Sequence, residues 1–173
     1  MMAHDQQASL ANLELISGEQ GSREKIASLL DNTQMFKGLE WLQIEALSGY
    51  VQLYRAAPDS TLFREGDKGD FMCIVLKGKL EVRKEDNLRV EKTVATIFPG
   101  RSLGEMSMVD GEPRSATVAV VEPALLAVLT RENFLLITRD KPALAVKILL
   151  KIAQLLSQHL RHTSGILVDY LGK

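Results

Sequence analysis

Apolar positions follow a helical period over residues 22–53, give way to short β-prone runs over 51–130, and return to the helical period after Arg131. In the first part Ile26, Leu29 and Leu30 form one stripe, and Leu39, Leu42, Ile44, Leu47 and Val51 form a second. Asp31-Asn32-Thr33 and Lys37-Gly38 interrupt them, which predicts short helices rather than one long one. In the middle part the runs are separated by turn clusters: Ala57-Pro58-Asp59-Ser60, residues 65–70, Lys77-Gly78-Lys79, Glu85-Asp86-Asn87 and Pro99-Gly100. This spacing predicts about seven or eight short strands, and the lack of helical stretches between them predicts an antiparallel β-roll or jelly-roll barrel rather than a parallel sheet. The last part predicts a short helix around Asn133 to Thr138, a break at Asp140-Lys141-Pro142, and a long helix opened by Pro142.

The expected fold class is therefore mainly β with flanking α. Residues 1–21 are expected to be a mobile tail, with at best a transient helix at Leu10 to Ile16. Residues 22–173 are expected to be a single domain: helical at 22–50, a β-roll at 51–130, and C-terminal helices at 131–173. Within the long helix Leu149, Ala153, Leu156, Leu160, Thr163, Leu167 and Tyr170 recur at spacings of four and three. A homodimer along this seam is favoured over packing wholly on the barrel, because Leu150, Ile152 and Leu155 already offer an intramolecular surface.

A chain of 173 residues can bury a substantial core without disulfides or metals. The net charge of −1 gives no global electrostatic case for nucleic acid or an anionic membrane. The lone Cys73 sits in the apolar run Phe71 to Leu76 and reads as a core residue rather than a reactive thiol. The start Met1-Met2-Ala3-His4-Asp5-Gln6 lacks the order of a secretory signal, so a cytoplasmic location is expected. Pro142 to Leu156 is broken by Lys147, Lys151 and Gln154, so no contact with a membrane is expected.

The stretch Leu103 to Val118 interrupts the strand pattern and holds the candidate chemistry. Gly104 lets backbone amides approach a ligand, and a helical turn starting there would aim free N–H groups at an anion. Arg114, ten positions on, precedes the β-prone run Ala116-Thr117-Val118, where its planar fork suits a phosphate. Glu105 would accept from sugar hydroxyls. The alternative is that Glu105 and Arg114 pair with each other and merely brace a loop.

Across residues 29–167 the chain resembles the cyclic-nucleotide-binding domain family, and in particular the effector domain of catabolite-activator-like proteins. The resemblance is carried by Met35-Phe36-Lys37-Gly38-Leu39, residues 62–67, Gly69-Asp70-Phe71, Ile74-Val75-Leu76-Lys77-Gly78, Gly104-Glu105 and residues 113–118. It implies a ligand pocket formed by Gly104, Glu105, Met106, Arg114, Ser115 and Ala116. Arg114 would contact the cyclic phosphate and Glu105 the ribose 2′-hydroxyl, with amides from Gly104 and Ser115 and the Ser115 hydroxyl adding donors. It also implies that Thr163 meets the adenine and that Ser164 reaches across a dimer. Aligned from Pro142, this pair stands about one helical turn further along the helix than the resemblance requires. The alternative is that the pair merely leads to the helix-weakening Gly165.

The implied ligand is 3′,5′-cyclic AMP in preference to cyclic GMP, with no other cofactor and no metal. His159 and His162 form an i, i+3 pair with no Cys or carboxylate partner in sequence, so a solvated or lid-facing role is expected for them. No arrangement of Ser, His and Asp suggests an enzyme. The related activators continue into a DNA-reading helix-turn-helix, whereas this sequence ends at Lys173. Direct nucleic-acid binding is therefore not expected, and the signal is expected to pass to an unidentified protein partner. The competing readings are an interaction module that has lost its ligand and a truncated transcription regulator.

Overall fold

The computed structural model describes residues 10–171. Seven antiparallel strands form one rolled sheet: β1 (Glu14–Ile16), β2 (Gln52–Ala56), β3 (Thr61–Phe63), β4 (Phe71–Glu85), β5 (Glu91–Ile97), β6 (Ser102–Leu103) and β7 (Thr117–Thr130). The strand order is β1-β2-β7-β4-β5, with β3 also on β7 and β6 also on β4. Helices α1 (Arg23–Asp31) and α2 (Trp41–Ser48) precede the roll. Helix α3 (Glu105–Asp110) interrupts it, and α4 (Arg131–Asp140) and α5 (Pro142–Leu171) follow it. This is the jelly-roll-like arrangement with helices at both ends that the periodicity predicts.

The apolar run at the start of β4 shows why strict alternation is missing there. Phe71, Cys73 and Val75 point into the roll with Leu62, Leu80, Val118, Val120 and Leu126. Met72 and Ile74 point the other way, into a second core with Leu30, Phe36, Ile44, Leu47, Phe134, Ile148 and Ile152. Both faces of this strand are buried, so both alternate sets must be apolar. Two layers follow: the interior of the roll, and a helical layer packed on its outer face.

β4 and β7 are longer than the predicted strands because one kink replaces one turn. Lys77-Gly78-Lys79, expected as a turn, lies inside β4, where the pairing with β7 shifts register between Val75 and Leu80. Gly78 takes φ +89°, and a Cβ there would collide with the Pro123 carbonyl oxygen and stand 2.7 Å from Ala124 Cα. Only glycine fits this bend. The cluster at residues 85–87 is a true hairpin turn, in which the Asp86 carboxylate accepts from the Leu88 and Val90 amides at 2.9 and 3.0 Å.

The N-terminal expectation needs correction. Glu14–Ile16 is a strand paired with Leu53–Arg55 of β2, and residues 18–21 form a 3-10 turn, so this part of the segment is neither a free tail nor a helix. Residues 1–9 of the expected tail, and the leader comparison made on Met1 to Gln6, lie outside the described residues. Leu42 also departs from its stripe, standing 72% exposed while Ile44 and Leu47 are buried.

α4 and α5 have clear ends. Thr130 Oγ1 accepts from the Asn133 amide at 3.1 Å, capping α4, and Pro142 opens α5. In length and composition α5 meets the requirements of a membrane-crossing helix, because it runs well past the broken stretch Pro142 to Leu156. Its first half is nonetheless spent on the protein core. Leu144, Ala145, Ile148 and Ile152 are buried, whereas Leu150 faces away. Lys147 Nζ donates to Gln43 Oε1 at 3.0 Å, and Lys151 Nζ to the Lys37 carbonyl at 2.8 Å. From Ser157 onward every described side chain of α5 is exposed.

Candidate functional site

The site lies where α3 and the loop to β7 break the roll. Gly104, at φ +80°, turns the chain from β6 into α3. A Cβ at this position would stand 2.7 Å from Arg114 Nη1 and 3.0 Å from the Phe71 carbonyl oxygen. Glycine is thus required both by the turn and by the close approach of the arginine. Glu105 opens α3 and is 4% exposed, and Arg114 is 3% exposed. The structure therefore brings two buried charged residues to one spot.

The backbone of Arg114 is stitched to the loop before β4. Its amide donates to the Asp67 carbonyl at 2.8 Å, and its carbonyl accepts from the Gly66 amide at 2.9 Å. The same loop is closed by the Asp67 carboxylate, which accepts from the Arg64 amide at 2.8 Å, and by Thr117 Oγ1, which accepts from the Glu65 amide at 3.0 Å. Gly69 leaves the space for the side chain: a Cβ there would lie 2.7 Å from Arg114 Nε and against Ser107 Cβ.

The guanidinium sits in the corner between two aromatic rings. Arg114 Cζ lies 4.1 Å from the centroid of Phe63 and 4.5 Å from that of Phe71, and the rings meet edge-on at 6.1 Å. Such faces attract a cation and strip water from it without using its N–H donors. Nη1 donates to the Gly104 carbonyl at 3.0 Å, but Nε and Nη2 are buried with no partner among the described residues. Burial pushes the Arg114 pKa down, with Cys73, Asp70, Asp67 and Glu105 pulling it back up. Burial likewise lifts Asp70, against the pull of Arg114.

Cys73 lies beneath this cluster. Burial pushes its thiol up to about 12, Arg114 pulling it down and Glu105 adding to the rise. The thiolate is suppressed, which matches a packing role rather than a reactive one.

Glu105 does not pair with Arg114 among the described residues. Its Oε1 lies 3.7 Å from Nδ1 of His159 on α5, and its Oε2 is buried without a partner. The bracing ion pair considered from the sequence is thus not formed. The cluster instead offers a carboxylate acceptor and two guanidinium donors, all desolvated and unsatisfied, a combination suited to an anion that also carries hydroxyls.

The remaining expected residues fall into two groups. Ser115 and Met106 are exposed, with Ser115 Oγ 3.8 Å from Met106 Sδ, and Ala116 is buried beside them. Thr163 and Ser164 lie on the exposed part of α5, and among the described residues neither hydrogen-bonds to the pocket. A cleft of about 440 Å³ bounded by Gln34, Arg101, Ser102, Leu155 and Gln158 adjoins α5, but Glu105 and Arg114 do not line it. The site is assigned by its unsatisfied charges rather than by the cleft. Phe63, Phe71 and Gly69 carry roles the sequence reading did not assign, although each stands in a motif quoted for the resemblance.

A sequence profile of the cyclic nucleotide-binding domain matches residues 53–140, which is half of the chain and includes all of Phe63, Gly69, Gly104, Glu105 and Arg114. The chain belongs to the cyclic nucleotide-binding domain family. A cyclic AMP receptor protein of Thermus thermophilus is 30% identical over 132 residues, covering 76% of this chain and 59% of that protein. A cGMP-dependent protein kinase of Plasmodium berghei is 29% identical over 109 residues, covering 63% of this chain and 12% of the kinase. The chain thus spans less than two thirds of either relative. The crystal structure of a cyclic nucleotide-binding domain from Methylobacillus flagellatus superposes with a TM-score of 0.81 at 30% identity, covering 95% of this chain and 92% of that one. The cyclic nucleotide-binding domain is a regulatory module.

Proposed function

We propose that this cyclic nucleotide-binding domain is a non-catalytic, cytoplasmic sensor of cyclic AMP, in preference to cyclic GMP, that signals to a protein partner through α5. The observation that carries this reading is the pair of buried, unpartnered nitrogens on Arg114 beside the unpartnered Oε2 of Glu105. A cyclic phosphodiester has one negative charge to meet the guanidinium, and its ribose has a hydroxyl to meet the carboxylate. Each buried group left unsatisfied costs about 1–3 kcal/mol, which the ligand would recover.

Phosphate and ribose contacts do not select a base. The preference for adenine rests on the resemblance at Thr163 and Ser164 and on likeness to the Thermus thermophilus receptor. A homodimer along α5 would bring a second Ser164 toward each pocket. Occupancy can shift α5 only if the nucleotide binds one arrangement of the helix better than another. The reading includes no direct contact with nucleic acid or membrane.

Calorimetric titration with cyclic AMP, cyclic GMP and cyclic di-GMP tests it, first on the wild type and then on Arg114→Ala. The expected result is saturable binding of cyclic AMP, weakened in the variant by about 2 kcal/mol or more, roughly thirtyfold. Folded protein, free of copurified nucleotide, that binds none of the three would instead support the interaction-module reading.

A further inference from the structure

We propose that the cleft between α1 and the outer face of the sheet docks an acidic, extended segment of a protein partner. The cleft, of about 560 Å³, is lined by Lys25, Arg55 and Lys77 over an apolar floor of Leu29, Leu53 and Leu125. Among the described residues no carboxylate lines it. Gly104, Glu105 and Arg114 do not line it either, so the inference goes beyond the cyclic-nucleotide reading and does not depend on it.

Strand register explains why the cleft is there. Ile16, Leu53, Ala127 and Ile74 are partners in one row across β1, β2, β7 and β4. That row packs in one core with Ile26, Ala27 and Leu30 of α1. Two residues along β1, β2 and β7, on the same face, the next row is Glu14, Arg55, Leu125 and Lys77. This row is left open: Arg55 and Lys77 are exposed, and Leu125 is only half-buried. Lys25 and Leu29, one turn apart on α1, border it from above.

The chemistry of the row selects the occupant. Strands spaced about 4.8 Å apart put Arg55 and Lys77 about 10 Å apart, with Leu125 between them. An extended chain rises about 3.3 Å per residue, so carboxylates at the first and fifth positions span about 13 Å, with an apolar side chain at the third on the same face. The flexible stems of arginine and lysine take up the difference. Glu14 already makes the contact a partner would make: its Oε1 accepts from Arg55 Nη1 at 3.0 Å. Both side chains of that pair are more than half exposed, so a partner's carboxylate can exchange for it at little cost. A nucleic-acid backbone would match the cations but leave the apolar floor unused.

The test is a two-dimensional NMR titration of the isotope-labelled protein with a peptide of the order Glu-Ser-Leu-Ser-Glu, capped at both ends and taken to about 5 mM, above the millimolar affinity of so small a contact. The expected result is a set of shifts concentrated on the residues that line the cleft, saturating with a Kd of about 1 mM. The peptide with both Glu changed to Gln binds about tenfold more weakly, and so does the acidic peptide to Arg55→Glu or Lys77→Glu. Glu14→Gln, which releases Arg55, tightens the acidic peptide by about twofold. Lys92→Glu, on β5 at the far edge of the sheet, leaves it unchanged. The same spectra report whether each variant is folded. No localised shifts at the highest concentration, or equal binding of the acidic and neutral peptides, overturns the proposal. A short DNA duplex that binds the same residues more tightly than the peptide makes the cleft a nucleic-acid surface and overturns it as well. Each of these failures leaves the nucleotide titration unaffected, because the pocket and the cleft share no residue named here.

Discussion

The guanidinium of Arg114 is held by contacts that leave its donors free. Two phenylalanine faces and the close approach of Gly69 and Gly104 fix its plane, while only Nη1 is committed to a hydrogen bond. Pre-organising a charged donor in a desolvated place moves its ordering cost from binding to folding. Gly69 is the sensitive point, because an added methyl would reach 2.7 Å from Nε and press on Ser107. Gly69→Ala should therefore weaken cyclic AMP by about tenfold or more, or about 1.4 kcal/mol, while the protein still folds. Calorimetry beside a thermal melt checks this, and unchanged affinity would show that Arg114 has slack the structure does not suggest. Glu105 and Arg114 were legible in sequence because they fall within one short stretch with a recognisable pattern. The cradle around them was not, since Phe63, Gly69 and Phe71 come from a different loop and strand, and nothing in their spacing announces a cation between two rings.

At the level of elements, the same ambiguity recurs in glycine. Pro99-Gly100 ends one strand and leads to the next, but Lys77-Gly78-Lys79 only bends a strand that continues. A positive-φ glycine serves both purposes, and only the partner strand decides which, here through Pro123 and Ala124 facing Gly78. β1 was illegible for a related reason: three residues with two exposed side chains carry no periodicity, and the pairing with β2 supplies all of the signal. The kink predicts a stability contrast. Gly78→Ala must force a left-handed backbone and a collision with main-chain atoms, costing about 2 kcal/mol or more, a fall of roughly 4–8 °C in Tm for a chain of this size. Gly165 lies in α5 with nothing within 4 Å of an added Cβ, so Gly165→Ala should stabilise the helix by up to about 1 kcal/mol. Differential scanning calorimetry of both variants reads the contrast, and a Gly78→Ala protein melting with the wild type would refute the bend's requirement for glycine.

At the scale of the whole molecule, α5 divides into two halves with different work. The first is committed to the helical core by Leu144, Ala145, Ile148 and Ile152. The second leaves the roll with Leu160, Ile166, Leu167, Val168 and Leu171 exposed. Helical periodicity alone picked out the apolar repeat through Leu160 and Leu167, but it could not show at which turn the helix departs from the barrel. That departure leaves Thr163 and Ser164 on the exposed part of the helix. An apolar helix face of this length, unsupported by its own chain, is stabilised by a second copy if the two seams interlock. Sedimentation equilibrium should accordingly find a dimer at micromolar concentration, and Leu160→Asp with Leu167→Asp should shift it to monomer, since each buried leucine contributes on the order of 2 kcal/mol. A wild type that stays monomeric at about 100 µM, well above the range of specific dimers, would remove the seam as an interface. The double variant then separates two sources of affinity. If cyclic AMP binds the monomer as tightly as the dimer, the pocket is complete within one chain. If affinity falls with the dimer while the roll remains folded, the partner's helix contributes to the pocket, and the position of Ser164 beyond the point where α5 leaves its own roll is explained by the neighbour it serves.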